Sequence, residues 1–543
     1  MPAATTTTNA EASSSTSALL ARREDLTSSL LDSPYDPVAY LERSEVYAAL
    51  AYPDLSAGDA YRALLLSDEV QNEGAEFHAE ATEALEAYAE LGVPSVLELE
   101  PGLGELALDD DGAESDADLS PAVARLARLA SQRAYQLLAA GLLDTGCLRS
   151  AYSFIQRGLE AVPTDSALRD TEARLKAAAE KRLARPIDDL SAVTLPEWGS
   201  ARREVYPWNE HEPDRYAAAS LAEVNEGLSA VAPKLAIQAV ALPALDGEGT
   251  SVQLGLFALE DIAAGELVLD EYSLVTASSR QKAMVCDACS IDLLSLEDAQ
   301  PLNCEECYDT VFCSEFCHDA AMERYHPAVC NKDVDAIAKD PATGQEDETL
   351  HLLLLARVLA IAAHEEVHPL QVKEIKFIWG ALAAAPTDGQ EPHAPALPFS
   401  FKFNIETPLH ILEKMDIDVW SELEAYDLWV LNTVYAKQRG TASARQNKYD
   451  GKSDVAAVHP YWCLANHDCD PNITWEWDGR IRYKAREVRV VGDRRGGVKK
   501  GEELLSHYCD VNLPVAERRE WAKNTLGGWC RCARCQRESG ESA

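Results

Sequence analysis

Thirteen of the fourteen cysteines in this 543-residue chain lie between Cys286 and Cys535, and their spacing constrains the fold more than any other feature. They run as Cys286-x2-Cys289, Cys304-x2-Cys307, Cys313-x3-Cys317 and, with a histidine, His326-x3-Cys330. A second dense group is Cys530-x-Cys532-x2-Cys535, with Cys463, Cys469 and Cys509 standing between the two. Cysteines this close together form disulfides in secreted chains and bind metal in reducing compartments. The start, Met1 to Ser17, is rich in Ala, Thr and Ser with no basic n-region and no apolar stretch, so it reads as a disordered tail and not a signal peptide. The most apolar run, Leu352 to Ala363, is interrupted by Arg357 and is too short to cross a bilayer. Metal is therefore the expected use of the cysteines, no membrane partner is expected, and the expected setting is the nucleus and/or cytoplasm.

Eight soft ligands within residues 286–330 suffice for two tetrahedral zinc sites built from four cysteines, or from three cysteines and a histidine. So short a segment has little core, so the metal is expected to stabilise it directly. The C-terminal trio Cys530, Cys532 and Cys535 needs a fourth ligand, and Cys469 is the candidate. A third zinc there would clamp the tail over Asn466-His467 and close a pocket.

The front half carries one cysteine, Cys147, and reads as helical. From Ser131 to Pro163, residues Tyr135, Leu138, Ala139, Leu142, Ala151, Ile155 and Gly158 follow the tetratricopeptide spacing of two antiparallel helices, and Asp36 to Asp68 is a less regular copy. A generic helical bundle is the other reading. Such repeats must stack on neighbours to bury their apolar faces, which suits docking of peptide partners.

Charge narrows the partners. With 91 Asp+Glu against 49 Lys+Arg the net charge is −42, which argues against direct DNA binding by phosphate neutralisation and suits a basic protein partner. The basic run from Arg480 to Lys500 alternates as a strand with a solvated charged face, followed by a hairpin loop, and that reading is preferred to a nucleic-acid patch.

The residues around the first cluster, VFCSEFCHDAAMERYHPAVC, resemble the MYND zinc finger. That resemblance implies interleaved ligand sets: Cys286, Cys289, Cys313 and Cys317 on one zinc, and Cys304, Cys307, His326 and Cys330 on the other. Both would be closed and structural, in a module that binds partner peptides. Farther on, Asn466-His467-Asp468-Cys469-Asp470-Pro471-Asn472, then Gly501-Glu502-Glu503-Leu504, then Tyr508 and the CxCxxC trio, occur in the order seen in SET-domain lysine methyltransferases. With an inserted MYND finger the chain resembles the SMYD-type branch. The resemblance implies transfer of a methyl group from S-adenosylmethionine to a lysine amine of a histone or other basic protein. It makes Tyr508 the catalytic phenol, and Gly255, Asn466, His467 and Trp529 the cofactor contacts. The usual glycine-rich turn stands here as Gln253-Leu254-Gly255, without the first glycine and the arginine. A catalytically silent interaction scaffold with a degenerate SET fold is the alternative. Only eight residues follow Cys535, so the C-terminal helical repeat domain common in that branch is expected to be missing.

The expected fold class is α+β and multidomain, with TPR-like helical repeats first and then a split, β-rich SET fold. The expected segments are a tail (1–17), a helical TPR-like region (18–185) with an acidic loop near 98–118, and a linker (186–234). The first SET part (235–277), the MYND finger (286–330), a helical insertion (332–455), the SET core (456–510) and a post-SET region (511–540) complete the chain.

Overall fold

A computed structural model describes residues 5–98, 120–243, 250–280, 284–293, 301–338, 344–380, 396–446, 451–492, 494–526 and 528–540. The chain divides into two compact units, residues 1–204 with 383–432 and residues 205–382 with 433–543.

The first unit is built of helical hairpins. Asp36 caps the helix Pro37–Ala49 by accepting from the Val38 N–H at 2.8 Å, and proline at the first helical position needs no hydrogen-bond partner for its nitrogen. A three-residue turn leads into the helix Pro53–Val70. The pattern repeats: Ser120 caps Pro121–Thr145, left-handed Gly146 ends it, and Leu148–Ala161 follows. Small residues let these helices approach. A Cβ at Gly141 would stand 2.8 Å from the Pro53 carbonyl oxygen, and one at Gly158 would stand 2.5 Å from Leu168 Cδ1. The spacing of small and large residues is thus a packing code for helix against helix.

Three expectations need correction. From Thr5 on, the Ala/Thr/Ser-rich start is the first part of a helix, Thr5–Asp32, and residues 1–4 lie outside the described residues. Leu26 and Leu30 of that helix are buried, and once its packed half is nucleated each further turn costs little. The helical insertion 332–455 is not one body. Strand Ala396–Phe399 pairs antiparallel with Gly199–Arg202 of the front half, and Asp427 lies 3.1 Å from the buried Arg43. The insertion also holds two strands, Ser443–Gln446 and Ser453–Ala457. The 186–234 segment is no bare linker, because it supplies the strand Gly199–Arg202 and the helix Ala218–Val231. Val224 and Leu228 of that helix, at helical spacing, join the core of the second unit. Of the acidic 98–118 segment, all but Glu98 lies outside the described residues.

The second unit contains three three-stranded antiparallel sheets. In one, Thr250–Ala258 lies between Leu235–Pro243 and Glu503–Leu504. In another, Ile481–Ala485 lies between Ile473–Trp477 and Leu267–Glu271, and in the third Ser453–Ala457 is central. Ile481, Tyr483 and Ala485 point into the core while Arg482 and Lys484 face outward, the alternation a half-buried strand requires. The basic run is largely paired with carboxylates: Arg480 with Asp270 at 2.7 Å, Lys484 with Glu476 at 2.7 Å and Arg494 with Asp470 at 2.8 Å. Among the described residues no helix is long and apolar enough to cross a membrane.

Candidate functional site

Among the described residues of the second unit, three groups of four potential metal donors come together. The donor atoms of Cys286, Cys289, Cys313 and Cys317 lie within 4.8 Å of one another, as do those of Cys304, Cys307, His326 and Cys330 and those of Cys469, Cys530, Cys532 and Cys535. A tetrahedral zinc with bonds of about 2.3 Å puts its sulfurs roughly 3.7 Å apart. Cys289 and Cys313 stand at 3.8 Å, Cys304 and Cys330 at 3.8 Å, and Cys469 and Cys535 at 3.4 Å. The donor chemistry and spacing therefore fit zinc, with all four positions of each group filled by protein. Short elements set up the first two groups: the hairpin Leu302–Asn303 with Val311–Phe312, and the helix Glu315–Arg324 capped by Ser314.

The second half of the site is a crossing of two chain segments. His467 bridges Ser506 in parallel, with Ser506 N–H donating to the Asn466 carbonyl at 2.8 Å and Asp468 N–H to the Ser506 carbonyl at 2.9 Å. Asn472 pins the same crossing, donating to the Glu503 carbonyl at 2.8 Å and accepting from Leu505 N–H at 2.7 Å. The Asn466 amide donates to the Leu254 carbonyl at 3.1 Å and to Glu503 Oε1 at 2.7 Å. Gly255 lies beneath this pair: a Cβ there would stand 2.5 Å from Glu503 Oε1 and 3.1 Å from Asn466 Nδ2. The glycine leaves room for these two polar side chains, and a side chain in its place would have to push the Glu503 carboxylate aside.

Tyr508 is held by the same crossing. Its N–H donates to His467 Nδ1 at 3.0 Å, its hydroxyl donates to the Ala465 carbonyl at 2.9 Å, and the two rings stand 5.2 Å apart. Burial, then Cys463 and Glu503, pushes the phenol well above its usual range, so it stays protonated.

Tyr508 opens onto a cleft of about 1040 Å³ whose wall includes Trp462, Trp475, Tyr483, His507 and Trp521. Trp462 meets Trp475 edge to face at 5.5 Å, and Trp475 stacks on His507 at 6.1 Å. Burial, and then Arg486, lowers His507, keeping its ring neutral. Glu271 supports the turn that carries Trp462, accepting from the N–H groups of Tyr461 at 3.1 Å and Trp462 at 2.8 Å. Burial pushes its carboxyl up to about 8.

The cleft wall includes neither Gly255, Asn466 and His467 nor Trp529. Trp529 is 51% exposed and stacks over the Arg519 guanidinium at 5.7 Å. Trp521, on the helix Val515–Leu526, is the tryptophan of that region that reaches the cleft. Motif reading missed Glu271, Trp462, Trp475 and Trp521. The alternation Trp475-Glu476-Trp477 puts both tryptophans on one strand face and is the signal that was available.

Residues 253–509 match the SET domain family model, and the four-donor groups Cys286–Cys289–Cys313–Cys317 and Cys304–Cys307–His326–Cys330 fall within that stretch. The chain is 28% identical over 88 residues to N-lysine methyltransferase SMYD2 of Homo sapiens, covering 16% of this chain and 18% of that protein. It is 34% identical over 76 residues to SET domain and MYND-type zinc finger protein 6 of Schizosaccharomyces pombe, 14% of each. It is 29% identical over 122 residues to histone-lysine N-methyltransferase SET5 of Yarrowia lipolytica, 22% of this chain and 25% of that protein. The chain thus spans a quarter or less of the length of these relatives.

Proposed function

We propose that this protein transfers a methyl group from S-adenosylmethionine to the side-chain amine of a lysine in a histone or other basic protein. The observation that carries the reading is the placement of Tyr508, a protonated phenol in an aromatic cleft wall, bound at both ends to the segment 465–467. The residues nearby suit the methyl donor by charge. Its sulfonium and ammonium are cations, and the Glu503 carboxylate stands against Asn466 and Gly255 where no side chain shields the backbone. When bound, the cofactor supplies an electrophilic methyl group on sulfur.

The chain's own residues then have simple tasks. Gly255, Asn466 and His467 hold the donor by close backbone approach and by the Glu503-oriented amide, with Trp529 as an aromatic cover from the C-terminal segment. Trp462, Trp475 and Tyr483 exclude water and strip the lysine amine of its hydration, which favours the neutral, nucleophilic form. Tyr508 orients amine and methyl through its hydroxyl and does not attack. Orientation of this kind can supply several orders of magnitude with no covalent work by the protein. Cys286, Cys289, Cys313 and Cys317, then Cys304, Cys307, His326 and Cys330, then Cys469, Cys530, Cys532 and Cys535, would hold three structural zinc ions. The acid-rich chain draws a basic substrate toward the cleft. Peptide partners dock on the TPR-like helices and the MYND-type module, and the protein works in the nucleus or cytoplasm.

A silent scaffold is the second reading, favoured by Gln253-Leu254 in place of the usual glycine and arginine. Titration of the zinc-loaded full chain with S-adenosylmethionine separates the two. Saturable binding supports the enzyme, and no binding at millimolar cofactor sinks it. Labelling a proteome extract with isotopic cofactor would then identify the modified lysines.

A further inference from the structure

His467 Nε2, Cys469 Sγ and Cys509 Sγ lie within 4.8 Å of one another. These are metal-ligand types, but the hydrogen bonds around His467 exclude that use. The Tyr508 backbone N–H, which can only donate, meets His467 Nδ1 at 3.0 Å, so Nδ1 carries a lone pair. In the neutral ring the proton then sits on Nε2, which faces Cys469 Sγ at 3.4 Å. Nε2 is a donor to the thiolate and not a ligand to a metal.

Cys469 is itself one of the four donors of the C-terminal group, at 3.4 Å from Cys535 and 4.0 Å from Cys530. The imidazole therefore spans from a candidate zinc thiolate to the backbone of Tyr508. Outer-shell donors of this sort fix ligand orientation and tautomer. The same ring packs beside the Tyr508 ring at 5.2 Å, and the phenol hydroxyl is tied to Ala465, two residues before His467.

We propose that His467 is a positioning residue that couples the metal of the Cys469–Cys530–Cys532–Cys535 group to the placement of Tyr508. The N–H to sulfur bond holds the ring in the tautomer that receives the Tyr508 amide. Loss of the metal frees the thiolate, the ring turns, and the cleft loses its tyrosine anchor. The inference rests on the zinc reading of the cluster but not on methyl transfer.

Two variants split the ring's two bonds. His467→Asn places an amide oxygen near the Nδ1 position, keeping the acceptor and removing the donor. His467→Gln reaches the Nε2 position with its amide nitrogen, keeping the donor. Hydrogen exchange at the Tyr508 amide is measured on the full chain, with and without zinc, using the amides of Ile481–Ala485 as the internal reference. Zinc affinity is measured by chelator competition. In the wild type, zinc removal is expected to speed exchange at Tyr508 more than in the reference strand. His467→Asn should keep Tyr508 protected when loaded but bind zinc at the C-terminal group about tenfold more weakly. His467→Gln should keep zinc affinity and leave Tyr508 exchanging fast with or without metal. Unchanged zinc affinity in His467→Asn, or Tyr508 protection indifferent to zinc in the wild type, would overturn the proposal. So would a fourth zinc per chain that disappears in Cys509→Ala, because it would make His467 a ligand. None of these readouts needs methyl transfer, so a failed activity assay leaves this test intact.

Discussion

Tyr508 and Ala465 are joined by a 2.9 Å hydrogen bond from the phenol to the backbone carbonyl, across a crossing of two segments that are far apart in the chain. The hydroxyl is thereby aimed by the backbone beside Asn466, and not by a second side chain. Removing it should separate chemistry from binding. In Tyr508→Phe, cofactor affinity measured by calorimetry is expected to hold while methyl transfer is lost. The missing hydrogen bond should cost only about 1 kcal/mol of stability. An unchanged transfer rate would refute the role given to the phenol.

Two glycines of the second unit should answer differently to alanine. At Gly255 the new Cβ meets the end of the Glu503 side chain at 2.5 Å, and that carboxylate can swing away. Gly255→Ala is therefore expected to fold almost normally but to release Asn466 and weaken cofactor binding. At Gly496 the Cβ would stand 1.6 Å from the Arg486 carbonyl oxygen, part of a backbone held by the Arg486 N–H donating to the Asn472 carbonyl at 2.8 Å. Gly496→Ala should cost about 1–3 kcal/mol in a denaturant titration. The reverse order of stabilities would contradict the packing described.

Glu271 links stability to pH. Its folded value of about 8 lies above the ordinary 4.5, so the folded state holds a proton that the unfolded chain has released. The stability it contributes is complete below about pH 4.5 and is lost as pH rises toward about 8. Glu271→Gln should flatten the pH dependence of the melting temperature in that window. It should also sit about 1 kcal/mol lower at acid pH, having lost one acceptor for the Tyr461 and Trp462 amides. A slope identical to wild type would remove Glu271 from this role.

Arg43 tests the assignment of the insertion to the front helices. Its guanidinium lies between Asp59 at 2.7 Å and Asp427 at 3.1 Å, all three buried. Arg43→Met strands two buried carboxylates and should cost about 3–5 kcal/mol in the unfolding of the first unit. A loss below 1 kcal/mol, read by fluorescence of the nearby Trp420, would mean that the triad is solvated.

Local chemistry was readable along the chain. Cysteine and histidine positions picked out residues that the fold gathers into four-donor groups, since thiolate pairs two or three residues apart can share one ion wherever they fold. Alternation identified Ile481–Ala485 as a strand with an outward basic face, and small-residue spacing identified the hairpin helices around Gly141 and Gly158. The order of the Asn466-His467 and Glu503–Tyr508 segments picked out two stretches that the fold brings to one crossing. What a linear reading could not supply was pairing between distant segments. Helix Ala218–Val231 was hidden because only two of its residues are buried, and those against a sheet formed later in the chain. The strand Ala396–Phe399 was hidden because its partner lies nearly two hundred residues earlier. Trp521 rather than Trp529 reaches the cleft because it is the one carried on the helix Val515–Leu526, a property of the fold and not of distance along the chain. Composition and motif thus determined which groups this protein carries. Only the tertiary structure decided which of them face each other, because burial, hydrogen bonding and metal coordination act between neighbours in space.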